Sequence, residues 1–297
     1  MSKAKQLTFN QYTQSAQVLT EYTSVVLKNY ADISNENRDR IIRNLIARSI
    51  TALRGIINLW SIQDYNDCWV LYRVLLDRLF YLETLGTEES FGKFSDWCFI
   101  NSFEYKMKCL NDPEFAEKIE PEKFVLSEED KKRYESLKTT DVNWKKPSAF
   151  KVAKKMKLDF LYNYGYRFAS GHVHPTANEG MEDVARLTGQ TIDQTYDDQI
   201  TVIHNSSLIM NIILRQGINF SNLEWRSAIL TFLDQHAAFI TGLPNKYINS
   251  INVIRKLVSE NTDFCRSINV NTEKQKDMEL ITDNNEAREL SLIKDND

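Results

Sequence analysis

Apolar residues recur at intervals of three and four along most of the chain, which is the spacing of one face of an α-helix. A first stripe covers about residues 8–30, and a wider one covers about residues 38–63. Between them, at residues 34–37, Ser34 and Asn37 offer side chains that cap helix ends. The pattern therefore predicts two consecutive amphipathic helices at the start of the chain.

The same spacing continues beyond this first pair. A strongly apolar helix is predicted over about residues 68–85, ended by Gly86, and another over about 88–110, ended by the sequence Asn-Asp-Pro. With only nine Gly and five Pro in 297 residues, turn signals are few, which favours helices over a sandwich or barrel. The sequence predicts an all-α helical bundle. Its later helices are predicted over about residues 148–170, 197–216 and 223–240, with a short turn at 181–187.

Two segments differ in composition from the rest. Residues 111–147 are rich in Lys and Glu and have few apolar anchors, so we interpret them as a charged insertion with a short helix at about 127–138. Residues 246–297 are predicted to be a C-terminal helix and a polar tail that is either disordered or folds only on a partner protein. The predicted organisation is one helical domain over residues 1–245 that carries this insertion, followed by the tail.

The net charge of −4 and pI of about 5.7 exclude a nucleic-acid binder that is basic throughout, so any RNA contact needs a local basic patch. The longest apolar stretches are interrupted by charged residues, which predicts no membrane span. The N-terminus has no apolar core of a signal peptide, and the cysteines form no paired motif, so we expect a cytoplasmic protein. The four cysteines are Cys68, Cys98, Cys109 and Cys265.

Candidate chemistry concentrates at residues 162–175, which hold an Arg, a Ser, three Tyr and two of the four His. On a helix, Arg167, Ser170 and His174 are spaced i, i+3, i+7 and would line one face. Tyr166 shares a second row with the same Ser and His. The proline that follows predicts that the helix ends here, with the imidazole beside a loop. An Arg to hold a phosphate and a His to move a proton are the minimum equipment for cutting RNA without a metal.

The chain resembles an uncharacterised bacterial all-helical family over about residues 39–210. The family carries a Tyr-x-x-x-Ser-x-x-x-His-Pro signature, matched here from Tyr166 onward, and a buried Arg-x-x-x-Glu helix. In this chain Asp77 stands where the family has Glu, so the resemblance implies a pair of Arg73 with a shorter carboxylate. That pair is either a structural ion pair or a support for Arg167 or His174, because an unpaired charge in so apolar a helix is costly.

The same stretch also resembles the HEPN superfamily of small helical nucleases, whose motif is an Arg, four to six residues, and a His. Arg167 satisfies this spacing through His172 and through His174, and helical phase favours His174. The chain departs from the family at Phe168, where a polar residue is usual. The resemblance implies a homodimer and a metal-independent endoribonuclease or RNA-binding protein of a bacterial toxin or phage-defence system.

In that interpretation His174 is general base or acid, Arg167 neutralises charge on the phosphorane, and Ser170 or Tyr166 orients groups by hydrogen bonds. A basic run at residues 145–157 would supply phosphate contacts, although a solvated helix face is the alternative. The candidate nucleic-acid-binding residues are Lys151, Lys154, Lys155 and Lys157.

Two alternatives stay open from the sequence. His172 and His174 resemble a metal-binding pair, but no other spacing supports a site, so no metal or cofactor is expected. Further ligands to such a metal would be Glu179, Glu182, Asp183 or His204. In the other alternative the chain is a non-catalytic helical module that binds a protein or ligand, and the Tyr-Ser-His-Pro residues form a buried polar network. His204 and His236 lie on apolar helix faces and are predicted to be structural.

Overall fold

The computed structural model describes residues 7–33, 36–118, 125–139, 144–174, 180–190 and 196–241. These ranges contain α-helices, one π-helix and no strand, so the predicted all-α fold is confirmed. The predicted tail at 246–297 lies outside the described residues. The helices are α1 (Phe9–Ile33), α2 (Asn37–Ser61), α3 (Tyr65–Thr84), α4 (Glu88–Asn111), α5 (Pro113–Lys118), α6 (Glu128–Thr139), α7 (Ala149–Lys155), the π-helix (Leu161–Tyr166), α8 (Arg167–Gly171), α9 (Met181–Leu187), α10 (Tyr196–Asn219) and α11 (Arg226–Ile240).

The chain divides into two compact units. The larger comprises Thr8–Leu223, and the smaller comprises residues 1–7 with 224–297, of which α11 is the described helix. Within α11 the fully buried ring of His236 stacks on Phe232 at 6.2 Å, and burial lowers the pKa of His236 to about 4. Across the described ranges, none of the helices has the length and apolar character needed to cross a bilayer. The single domain over residues 1–245 stays a prediction.

Helix α3 is central to the larger unit. It packs against α2 and α10, and also against α7, the π-helix and α8. Its buried side chains are spaced by threes and fours, so one helix presents a broad apolar face to several neighbours. Each such side chain stabilises the fold by about 1.5–3 kcal/mol relative to exposure. The buried residues are Cys68, Trp69, Tyr72, Leu75, Leu76, Leu79, Phe80 and Leu82.

The insertion at residues 111–147 contains α5, which the sequence analysis missed, and α6. The carboxylate of Asp112 accepts hydrogen bonds from the first backbone N–H groups of α5 and so caps it. The ring of Tyr134 on α6 stacks on Phe103 of α4 at 4.3 Å. Farther on, Trp144 packs on Trp97 at 4.7 Å. Aromatic contacts therefore hold α6 and Trp144 to α4.

The predicted continuous helix over residues 148–170 is wrong, because the chain breaks at Lys157. This residue has a left-handed backbone conformation, with φ of +59°. Its N–H donates to the carbonyl of Lys154 at 3.1 Å, and the N–H of Leu158 donates to the carbonyl of Ala153 at 2.8 Å. This pair of bonds is a Schellman motif, which ends α7 and lets the following segment change direction.

Helix α2 ends in the same way, at Gln63 with φ of +64°. We expect Gln63→Gly to raise the free energy of unfolding by about 0.5–1 kcal/mol, because relief of the left-handed penalty exceeds the extra entropy of an unfolded glycine. Urea denaturation measures the change. Arg54→Gly, at an exposed position inside α2, should lower the same quantity by about 1 kcal/mol. An equal loss of unfolding free energy in the two variants would contradict the assignment of Gln63 as the left-handed residue that ends α2.

Candidate functional site

The site begins with a close approach between the π-helix and α3. A Cβ added to Gly165 would lie 2.2 Å from the hydroxyl oxygen of Tyr72, so only glycine lets the segment come this near. Tyr72 is fully buried, and its hydroxyl has no hydrogen-bond partner among the described residues. Burial raises the pKa of Tyr72. The contact fixes the position of the next residue, Tyr166, over α3.

Four polar side chains meet at this point, and we call them the polar cluster: Arg73, Asp77, Tyr166 and His174. The hydroxyl of Tyr166 donates to Asp77 Oδ1 at 3.1 Å. The guanidinium carbon of Arg73 lies 5.2 Å from the centre of the Tyr166 ring, and its Nη1 is 3.4 Å from Nε2 of His174. Arg73 and Asp77 thus contact different residues of the segment that ends at His174.

The polar cluster lies at the edge of the core. Arg73, Asp77 and Tyr166 are half-buried, whereas His174 is exposed. The pKa of Tyr166 is raised, chiefly by burial and then by the Asp77 carboxylate, while Arg73 opposes the shift. The phenol therefore stays protonated and donates its hydrogen bond at neutral pH. An arginine has only donors, so Nε2 of His174 is the acceptor in its contact with Arg73.

The other predicted catalytic residues lie along the same segment but have different surroundings. Arg167 is exposed on α8. The hydroxyl of Ser170 donates to the carbonyl of Tyr166 at 2.7 Å, inside the helix. The ring of His172 is half-buried and packs at 4.9 Å against Phe168. Helix α8 ends at Gly171, and the N–H of His174 donates to the carbonyl of Ser170 at 3.3 Å in the turn that follows.

Sequence reasoning missed the packing role of Phe168. Its ring meets the buried ring of Trp69 edge-on, with centres 4.9 Å apart. Trp69 precedes Tyr72 by three residues, so both lie on the same side of α3. The aromatic residue that departs from the HEPN pattern therefore anchors α8 to α3. The apolar stripe of α3 could have predicted that Trp69 is buried, but not that Trp69 contacts the ring of Phe168.

The four candidate lysines are exposed. Helix α7 buries Val152 and Ala153 against α3, so Lys151 and Lys154 lie on its other side and face solvent. The Nζ of Lys155 lies 3.0 Å from Glu83 Oε1. Exposed ion pairs of this kind contribute little to stability. The lysines of α7 thus form a basic face beside the segment that carries the polar cluster.

The residues weighed as metal ligands are not brought together in the described part of the chain. Among those residues, no three His, Cys, Asp or Glu side chains are grouped to hold a metal ion. Nδ1 of His204 lies 2.9 Å from the hydroxyl of Tyr12, and burial lowers the pKa of His204. Glu182 and Asp183 are residues of α9, and Glu179 lies outside the described residues.

Comparison with known proteins shows which family contains the segment that carries this site. The model of a family of unknown function, DUF5677, matches residues 39–190, just over half of the chain. The chain belongs to this family. The match includes every residue of the polar cluster and of the basic face, and it confirms the resemblance to an uncharacterised family. No curated protein and no solved structure matches the chain. The resemblance to HEPN nucleases stays a prediction.

We expect Gly165→Ala to lower the free energy of unfolding by about 1–3 kcal/mol, because the new methyl group overlaps the Tyr72 ring. Gly92→Ala is the matched control: a Cβ there has nothing within 4 Å, and alanine should stabilise α4 by about 1 kcal/mol. Urea denaturation compares the two variants.

A substitution at Tyr72 tests whether overlap with its ring causes the loss of stability in Gly165→Ala. Tyr72→Phe alone should be nearly neutral, since its hydroxyl has no hydrogen-bond partner among the described residues. Combined with Gly165→Ala, it should recover part of the lost stability, because it removes the atom nearest to the new methyl group. Strictly additive effects would show that the overlap is not the cause.

Proposed function

We propose that this chain is a metal-independent, HEPN-like endoribonuclease or RNA-binding protein of a bacterial toxin or phage-defence system, active as a cytoplasmic homodimer. The observation that carries the proposal is the exposed imidazole of His174, which has Arg73 of α3 at its Nε2. Arg167 is also exposed on α8, three residues before Ser170. An exposed imidazole with an arginine at hydrogen-bond distance suits acid–base chemistry on a phosphodiester.

The reaction is attack of a ribose 2′-hydroxyl on the adjacent phosphorus. The bond from O2′ to phosphorus forms and the bond from phosphorus to O5′ breaks, which leaves a 2′,3′-cyclic phosphate and a free 5′-hydroxyl. One group takes the proton from O2′, and another gives a proton to O5′. His174 performs one transfer, and the homodimer supplies a second His174 for the other. Arg167 stabilises the charge that develops on the phosphorane.

Arg73 has a role in this scheme that follows from its contact. A phosphate oxygen is a stronger acceptor for a guanidinium than a neutral imidazole is, because the hydrogen bond is assisted by charge on both sides. An arriving phosphate would therefore take Arg73 from His174 and leave Nε2 free to accept a proton. Asp77, through its hydrogen bond to Tyr166, would hold the ring against which Arg73 packs.

A second candidate function is a non-catalytic helical module that binds a protein or ligand. The observation that favours it is the half-buried hydrogen bond between Tyr166 and Asp77, which holds the segment to α3 within one chain. In this function the polar cluster stabilises the fold, and His174 packs at the edge of the cluster without taking part in catalysis. Absence of both cleavage and RNA binding by the folded protein would support it over the ribonuclease.

We expect the purified protein, or its activated complex, to cleave single-stranded RNA in the presence of EDTA and to leave 2′,3′-cyclic phosphate ends. His174→Ala and Arg167→Ala should each slow cleavage by about two to four orders of magnitude, because one removes the proton-transfer group and the other a charge that stabilises the transition state. Single-turnover assays with end-labelled RNA measure the rates, and circular dichroism checks the fold of each variant.

The matched control is Arg40→Ala, which removes an exposed arginine near the start of α2 that bonds to Asn37. This variant should cleave at the rate of the unmodified chain. Cleavage that survives both site substitutions would assign the activity to another site. Cleavage that stops in EDTA would restore the metal alternative with His172 and His174.

A further inference from the structure

Exposed aromatic side chains concentrate beside the proposed site. Among the described residues, five aromatic side chains are strongly exposed, and four of them lie between residues 150 and 168. Phe160 is 63% exposed, Tyr164 69% and Phe168 46%. Burial of such rings is favourable, so their exposure in one short segment indicates a surface that another molecule covers.

We call Phe160, Tyr164 and Phe168 the aromatic surface. They follow one another at intervals of four residues, so they run along one side of the segment. The rings of Phe160 and Tyr164 are 4.9 Å apart and tilted by 34°, and the ring of Phe168 lies 4.9 Å from that of His172. The row of rings therefore leads toward the end of α8, where the candidate catalytic residues lie.

The charge of the same segment identifies the class of partner. Residues 145–174 hold seven basic side chains and one acidic side chain, in a chain whose net charge is −4. The lysines of this run are exposed, as is Arg167. Cations beside exposed ring faces match a polyanion whose charged backbone alternates with flat apolar groups. Single-stranded nucleic acid has this chemistry, whereas a duplex hides the faces of its bases.

We propose that the aromatic surface stacks the unpaired bases of a single-stranded nucleic acid, while the lysines of α7 hold its phosphates. This proposal extends the proposed function by assigning a binding surface to the bases of the substrate. It rests on that function only for the choice of RNA as the nucleic acid. The path of the rings brings the bound strand to Arg167 and His174.

The test is a binding measurement that does not depend on cleavage. The probe is a fluorescein-labelled oligouridylate of twelve nucleotides with 2′-O-methyl groups, which lacks the attacking hydroxyl, and the protein is the full chain. We expect Phe160→Ala and Tyr164→Ala each to weaken binding by about 5- to 100-fold, the loss associated with one stacked base. Fluorescence anisotropy gives the dissociation constants. A variant that binds as tightly as the unmodified chain would overturn the proposal.

Conservative variants separate stacking from general apolar contact. Tyr164→Phe keeps the ring and should bind like the unmodified chain, whereas Tyr164→Leu keeps the bulk without the π system and should bind as weakly as Tyr164→Ala. The matched control is Tyr105→Ala, which removes a ring of 61% exposure on α4 and should leave affinity unchanged. Equal affinity of the Leu and Phe variants would overturn stacking. These exposed substitutions also keep the test valid if Phe160→Ala fails to fold.

Two further outcomes are decisive. A 2-aminopurine base in the probe should lose fluorescence on binding to the unmodified chain and keep it with Tyr164→Leu, and unchanged fluorescence in both would overturn the proposal. If Tyr164→Ala converts a dimer to a monomer in sedimentation equilibrium but leaves probe affinity unchanged, the surface joins two copies of this chain instead. RNA cleavage with unaltered affinity in the variants would retain the proposed function and reject only the stacking surface.

Discussion

The approach of the Gly165 backbone to the ring of Tyr72 is the constraint on which the candidate site depends. It brings a whole segment of chain onto the central helix α3 at a distance that no other residue would allow. Tyr166 comes next and lies over Arg73 and Asp77, and the ring of Phe168 then reaches Trp69. The polar contacts follow from this apolar one, because hydrogen bonds of about 3 Å require that the backbones be placed first.

Much of the fold could be predicted from the sequence, because long helices with a clear apolar face carry their own period. Helices α1 to α4 and α10 are of this kind. The break at Lys157 could not be predicted, since lysine favours helices and glycine is the usual left-handed residue at such an end. The charge on an apolar helix indicated that Arg73 and Asp77 needed partners. No local pattern encodes which partner each takes, because Arg73 contacts a residue 101 positions away and Asp77 contacts one 89 positions away.

The distribution of charge has an effect on binding beyond the individual lysines. The chain is acidic as a whole, while residues 145–174 are strongly basic, so the remainder is more acidic than the total of −4 implies. A polyanion is repelled by most of such a surface and attracted by one part of it. If the chain binds a nucleic-acid strand as proposed, this arrangement would orient the strand before any specific contact forms, and its effect would weaken as salt screens the field.

The π-helix between Leu161 and Tyr166 holds one residue more per turn than an α-helix would. One extra residue rotates everything after it by about 100° around the helix axis. Phe160, which precedes this turn, and Arg167 with the histidines that follow it are therefore set at an angle that depends on this one residue. Removal of that one residue would turn Phe160 relative to Arg167 and the histidines by the same angle, so the relative direction of these side chains depends on the length of a single turn.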